Sequence, residues 1–248
     1  MTAVSTPDLI YALAVLLVAY FVRGISGFGS GLLAVPLLAL RFPLPQVVPF
    51  MLIADFSASA LIGGIHFRQV ERSEIVRLLP ATLIGVTLGT ILLVSLPPAL
   101  LLTVLAGFIL VFALRSLLVR SDSFTPVSPR WAWPAALTGG AVSGLFGTGG
   151  PPYVIYLSHR LRDKSQLRAT LSGLFFLEGL IRIVSFLVAG LLLDVGVWLR
   201  ALCALPVVVA ALYAGSHIHT RLSDTQMLRI VSLLLLVSAV SLLLKATL

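Results

Sequence analysis

The fold class this sequence predicts is an all-α polytopic membrane protein built from two inverted repeats, each a glycine-tipped re-entrant or broken helical hairpin plus three transmembrane helices. Three observations carry that prediction. Hydrophobic residues make up 59% of the 248 residues and charged residues only 10%, where a soluble domain would carry roughly a quarter charged. Mean hydropathy is +1.10. A glycine-rich phrase occurs twice inside apolar stretches, as Ser26-Gly27-Phe28-Gly29-Ser30-Gly31 and as Ser143-Gly144-Leu145-Phe146-Gly147-Thr148-Gly149-Gly150. Glycine runs leave backbone N–H and C=O groups without helical partners, so at membrane depth they are tolerated only where protein buries them or a wet cavity lies beside them.

The elements follow from measuring apolar stretches against the roughly 20 residues that span the hydrocarbon core. The region of about 7–42 is too long for one upright span and too short for two, and the first glycine phrase interrupts it. It reads as a hairpin. Single spans follow at about 45–65, 78–95 and 98–115; the last two divide the 37 uncharged residues from Leu78 to Leu114 at Leu96-Pro97-Pro98. The segment 121–130, rich in Ser and Pro, is the linker between repeats 1–120 and 131–248. The 28 uncharged residues from Trp131 to Ser158 repeat the awkward length of the first region and give the second hairpin, about 131–158. Spans at about 168–192, 197–217 and 227–244 complete the chain. Met1 to Val22 has no Lys or Arg, so the basic start of a cleavable signal peptide is missing and the first segment is expected to stay.

Basic residues set the orientation. Arg68, Arg72 and Arg77, then Arg115, Arg120 and Arg130, then Arg160, Arg162, Lys164 and Arg168 mark three cytoplasmic loops. The last two groups flank the second hairpin, which must therefore enter and leave on one side. Leu79-Pro80, Gly85 and Gly89 line up at one constant offset with Leu205-Pro206, Ala211 and Gly215. The loops beside these matched elements carry opposite charge bias, which implies inverted repeats related by an axis in the membrane plane. The two glycine tips then enter from opposite faces and meet near the midplane.

A half-helix that begins at such a tip offers unbonded N–H groups and the positive end of its dipole, which suits an anion. Glycine allows close backbone approach, and Ser26, Ser30, Ser143 and Thr148 add hydroxyl donors. The candidate substrate-binding residues are therefore Ser26, Gly27, Phe28, Gly29, Ser30 and Gly31 at the first tip, and Ser143, Gly144, Phe146, Gly147, Thr148, Gly149, Gly150 and Pro151 at the second. Pro151 and Pro152 suit the first helical turn, where a missing N–H costs nothing.

The phrases Gly24-Ile25-Ser26-Gly27-Phe28-Gly29-Ser30-Gly31-Leu32-Leu33-Ala34-Val35-Pro36 and Gly144-Leu145-Phe146-Gly147-Thr148-Gly149-Gly150-Pro151-Pro152 strongly resemble those of the TauE/SafE sulfite exporter family. The likeness extends over nearly the whole chain. It implies a bacterial inner-membrane, multi-pass transporter of sulfite, sulfonates or related sulfur-containing organic anions, used for export.

Intramembrane charges are costly and need a partner or a cavity. Glu178 and Arg182, four residues apart, share a helix face; either they neutralise each other, or Arg182 holds the anion while Glu178 tunes it. Arg23, just before the first tip, is a second candidate for the anion. Asp55 and Glu178, at similar depths in the two halves, are candidate carriers of a coupling proton. His217 and His219 do not share a helix face, and the single Cys203 leaves no cysteine metal cluster, so neither metal nor cofactor is expected. The net charge of +8 reports orientation and anionic lipid rather than nucleic acid. A secondary carrier leads over a passive anion channel. A membrane-embedded enzyme acting on lipid phosphates would need a nucleophile or base within the phrases, and neither phrase holds a His, Cys or acid.

Overall fold

The computed structural model describes residues 5–26, 29–63, 69–118, 126–217 and 235–245, all helix or short connection, with no strand among them. The helices are α1 (Thr6–Ser26), α2 (Ser30–Ala39), α3 (Leu44–Gly63), α4 (Arg72–Ser95), α5 (Pro98–Leu118), α6 (Ala132–Phe146), α7 (Gly150–Ser158), α8 (Lys164–Val188), α9 (Val195–His217) and α10 (Leu235–Lys245). Five of them, α1, α4, α5, α8 and α9, are long and apolar enough to cross a membrane. Their outward faces carry large apolar side chains, among them Val76, Leu88, Val111, Val184 and Leu202, as lipid contact demands.

Both glycine phrases break a helix and send the chain back on itself. Gly29 (φ 96°) and Gly147 (φ 72°) adopt the left-handed conformation, which costs an L-residue roughly 1–2 kcal/mol. At the open end of the first hairpin Tyr11 donates to the Leu37 carbonyl and Arg41 pairs with Asp8, so α1 and α2 run antiparallel. In the second, a Cβ on Gly139 would press on the Tyr153 ring, which leaves α6 and α7 equally close. The hairpins are unequal. The ingoing arm α1 has 21 residues and could itself cross the bilayer, while α6 has 15.

Two boundaries differ from the sequence expectation for physical reasons. Helix α4 starts at Arg72 rather than near 78, because Glu74 and Arg77 are accommodated within its first turns by an ion pair instead of marking a loop. Helix α8 starts at Lys164 rather than 168, capped by Asp163, whose carboxylate accepts from the Gln166 N–H. It ends at a Schellman-type turn: Gly190 (φ 80°) follows it, and the Leu191 N–H reaches back to the Phe186 carbonyl. The expected span at 227–244 is described only from Leu235 onward.

The buried apolar side chains among the described residues form two clusters. One gathers α7, the starts of α6 and α8, and Leu78 and Ala81 of α4. The other gathers α1, α2, α3, α5, α9 and α10 with the tip residues Leu145 and Phe146. Each hairpin thus packs on a span from the other half of the chain. Small residues make these crossings close: a Cβ on Gly24 of α1 would meet the Leu212 carbonyl and Ser216 N of α9, and a Cβ on Gly144 of α6 would meet the Val86 carbonyl and Thr90 N of α4.

Candidate functional site

The two tips touch. A Cβ on Gly31 would lie 2.7 Å from the Gly147 carbonyl oxygen and 3.4 Å from Thr148 Cγ2. Around this contact is a small recess of about 80 Å³, open on one side, walled by the starts of α2 and α7 and by α1, α3, α6 and α8. Of the residues picked from the sequence, Arg23, Gly29, Ser30, Gly31, Asp55, Ser143, Gly147, Thr148, Gly149, Gly150, Pro151, Glu178 and Arg182 line it. Two do not. Gly144 faces α4 in the packing seam, and the Phe146 side chain is buried in the apolar core. Gly27, Phe28 and the Ser26 side chain lie outside the described residues. Leu32, Leu52, Phe56, Phe175 and Gly179 complete the wall and carry no chemical signature that the sequence could have flagged.

Four charged side chains meet here, and their environments differ. On the first side Arg23 Nη1 lies 2.6 Å from Asp55 Oδ1 and donates to Ser30 Oγ at 3.0 Å. The same Oδ1 accepts from Ser30 at 2.7 Å and from the fully buried Tyr20 hydroxyl at 2.7 Å. Arg23 and Asp55 therefore neutralise each other within a network that also fixes Ser30 at the start of α2.

The second side is built otherwise. Arg182 is 5% exposed and Glu178 4%, yet they form no ion pair with each other or with any other described residue. Arg182 Nε and Nη2, Glu178 Oε1 and Thr148 Oγ1 are all buried without a hydrogen-bond partner among the described residues. Arg182 reaches the second tip, since a Cβ on Gly147 would lie 3.0 Å from its Nη2, and its guanidinium sits 5.5 Å from the Phe186 ring centroid. A buried charge left without a partner is costly, and an anion would relieve that cost at the guanidinium.

The tips are also unequal as donors. At α2 the N-cap Gly29 makes no side-chain cap, so the amides of Ser30, Gly31 and Leu32 point out of the helix unbonded within it. At α7, Pro151 and Pro152 have no N–H, which leaves Gly149, Gly150 and the Thr148 hydroxyl. Backbone amides dominate the first tip. A hydroxyl and the guanidinium dominate the second.

A family model described as "Sulfite exporter TauE/SafE" matches residues 11–242. The chain is 28% identical over 194 residues to the "Probable inner membrane transporter protein TsaS" of Comamonas testosteroni, an alignment that covers 77% of this chain and 80% of that one. No solved structure matches it.

Proposed function

We propose that this chain, which belongs to the sulfite exporter TauE/SafE family, is a secondary transporter that holds a small sulfur oxyanion, sulfite or a sulfonate, between its two glycine tips. The family is one of transporters, so the alternative of an enzyme acting on lipid phosphates falls away. The relative of this chain is named for an inner membrane, and we assign this chain the same location.

One observation carries the site: Arg182, buried, lining the recess and with two nitrogens lacking partners among the described residues. Its guanidinium supplies the full positive charge for an oxyanion. Thr148 and the first-turn amides of α2 supply directional hydrogen bonds to the remaining oxygens. Arg23 has a different role: paired with Asp55, it holds Ser30 and the start of α2 in place. Glu178, one turn from Arg182 and with a bare carboxylate oxygen, is the carrier of a coupling proton. Asp55 is ion-paired to Arg23 through Oδ1, the oxygen that also accepts from Tyr20 and Ser30, so protonating it would cost that pair and it is the less suited of the two acids.

Contact between the tips supports a carrier over an open channel, because a continuous pore would have to part them. Access then alternates as the two halves, taken as inverted repeats, rearrange about the shared midplane site. Proteoliposomes loaded with sulfite or methanesulfonate test this. Arg182→Gln should reduce flux at least about tenfold, the loss of one charge-assisted contact of roughly 1.5–3 kcal/mol, while the protein still purifies as a folded species. Undiminished flux in that variant would overturn the site.

A further inference from the structure

We infer that the recess selects by charge number: it admits a monovalent oxyanion together with one proton on Glu178 and rejects a dianion. This rests on the proposed anion site and adds to it the valence of the substrate and the coupling ratio. The inference comes from a charge count. Four ionisable side chains of opposite sign line the recess, Arg23, Asp55, Glu178 and Arg182. The first two cancel across 2.6 Å, and the tip residues outside the described set, Gly27 and Phe28, are uncharged by sequence. Among the described residues that line the recess, what remains is Arg182 and Glu178.

With both of these ionised the recess is already neutral, and any anion would enter as an uncompensated buried charge. In a low-dielectric interior that is the costly case. A proton on Glu178 leaves one positive charge, which one negative charge balances. A monovalent anion and a proton therefore fill the site to neutrality. A dianion leaves a net negative charge even with Glu178 protonated.

Among the described residues, the groups around Glu178 give it no second source of compensation. It faces Ser143 of α6, Tyr153 of α7, Asp55 of α3 and Arg182 of its own helix. Arg182 in turn faces Tyr20 of α1, and Asp55 is already committed to Arg23. The proton comes from the aqueous phase on the side where the anion binds, and it leaves with the anion on the other side. Transport of the pair is electroneutral.

Calorimetric titration of the purified full chain with methanesulfonate and with sulfate tests the inference, since the first stays monovalent and the second divalent across the neutral range. Methanesulfonate should bind at least about tenfold more tightly than sulfate, and its affinity should rise as pH falls, by up to about tenfold per unit where Glu178 is ionised in the unliganded protein. Glu178→Gln should keep the preference and abolish the pH dependence. Asp55→Asn should release the Arg23 charge into the recess and shift the preference toward sulfate. Equal binding of the two anions by the unaltered protein, or an unchanged pH dependence in Glu178→Gln, overturns the charge filter and leaves the anion site standing. Binding of neither anion removes both.

Discussion

Gly147 and Gly144 stand three residues apart in one phrase, and the structure gives them different work. Gly147 turns the tip at φ 72° with Arg182 Nη2 at 3.0 Å from the position of a Cβ, whereas a Cβ on Gly144 would strike α4 backbone. Gly147→Ala should therefore strain the tip by roughly 1–2 kcal/mol and displace the guanidinium, raising the Kd for methanesulfonate about tenfold while the thermal midpoint falls by a few degrees. Gly144→Ala should leave affinity per folded molecule unchanged and lower the yield of folded protein, because backbone cannot yield to the added methyl. Calorimetry and a thermal melt on each variant separate the two outcomes, and an identical affinity loss in both would refute the distinction. The sequence made the phrase visible but not this division, because α6 is apolar around its circumference and carries no stripe to mark which face meets α4. Phe56 and Phe175, which line the recess, and Tyr20, which donates to Asp55 behind it, were illegible for a related reason: tertiary packing alone brings their helices together.

At the level of elements, the clearest departure from the sequence reading is the start of α4. Glu74 is 2% exposed and accepts from Arg77 Nη1 at 2.9 Å, Arg160 Nε at 2.9 Å and the Tyr156 hydroxyl at 2.7 Å. Arg160 also donates to the Val127 carbonyl at 3.1 Å, tying the linker to the end of α7. A rule that ends spans at charges cannot foresee this, since two of the three partners of Glu74, Tyr156 and Arg160, lie some 80 residues further on, and only the folded hairpin brings them back. The carboxylate joins α4 to the outgoing arm of the second hairpin. Glu74→Ala should lower stability by about 1.5–3 kcal/mol. The lower half of that range applies, because Arg77 and Arg160 are partly exposed and regain water. A fall in the thermal midpoint, larger for Glu74→Ala than for Glu74→Gln, checks it; a midpoint unmoved by either change would mean that the cluster is not holding α4 and α7 together.

At the scale of the molecule, the repeat proposed from the sequence makes a prediction about the packing. Gly89 of α4 and Gly215 of α9 occupy matched positions, and a Cβ on either would meet a hairpin carbonyl, that of Ala141 for the first and of Phe21 for the second. The backbone atoms facing Gly144 and Gly24, Val86 with Thr90 and Leu212 with Ser216, are matched by the same offset. Equivalent crossings in both halves support the repeat; its inversion rests on the direction of travel through the bilayer. Counting crossings from the basic loop before α4, the chain returns to the same face at the linker and at the end of α7, then reaches the opposite face between α8 and α9. If α3, outside the five membrane-length helices, is counted as a crossing, as the sequence expectation at about 45–65 has it, the open end of the first hairpin at Pro43 lies on that opposite face too. Single cysteines in a Cys203→Ala background, labelled in intact cells with a membrane-impermeant maleimide, test the count at exposed positions. Pro43→Cys and Asp194→Cys should react from outside, whereas Ser73→Cys and Ser165→Cys should react only after the membrane is opened. The positive-inside rule assigns the second pair to the cytoplasm independently. Labelling of Pro43 and Ser165 from one face would put both hairpins on the same side, and the tips could then not meet as ends of inverted halves.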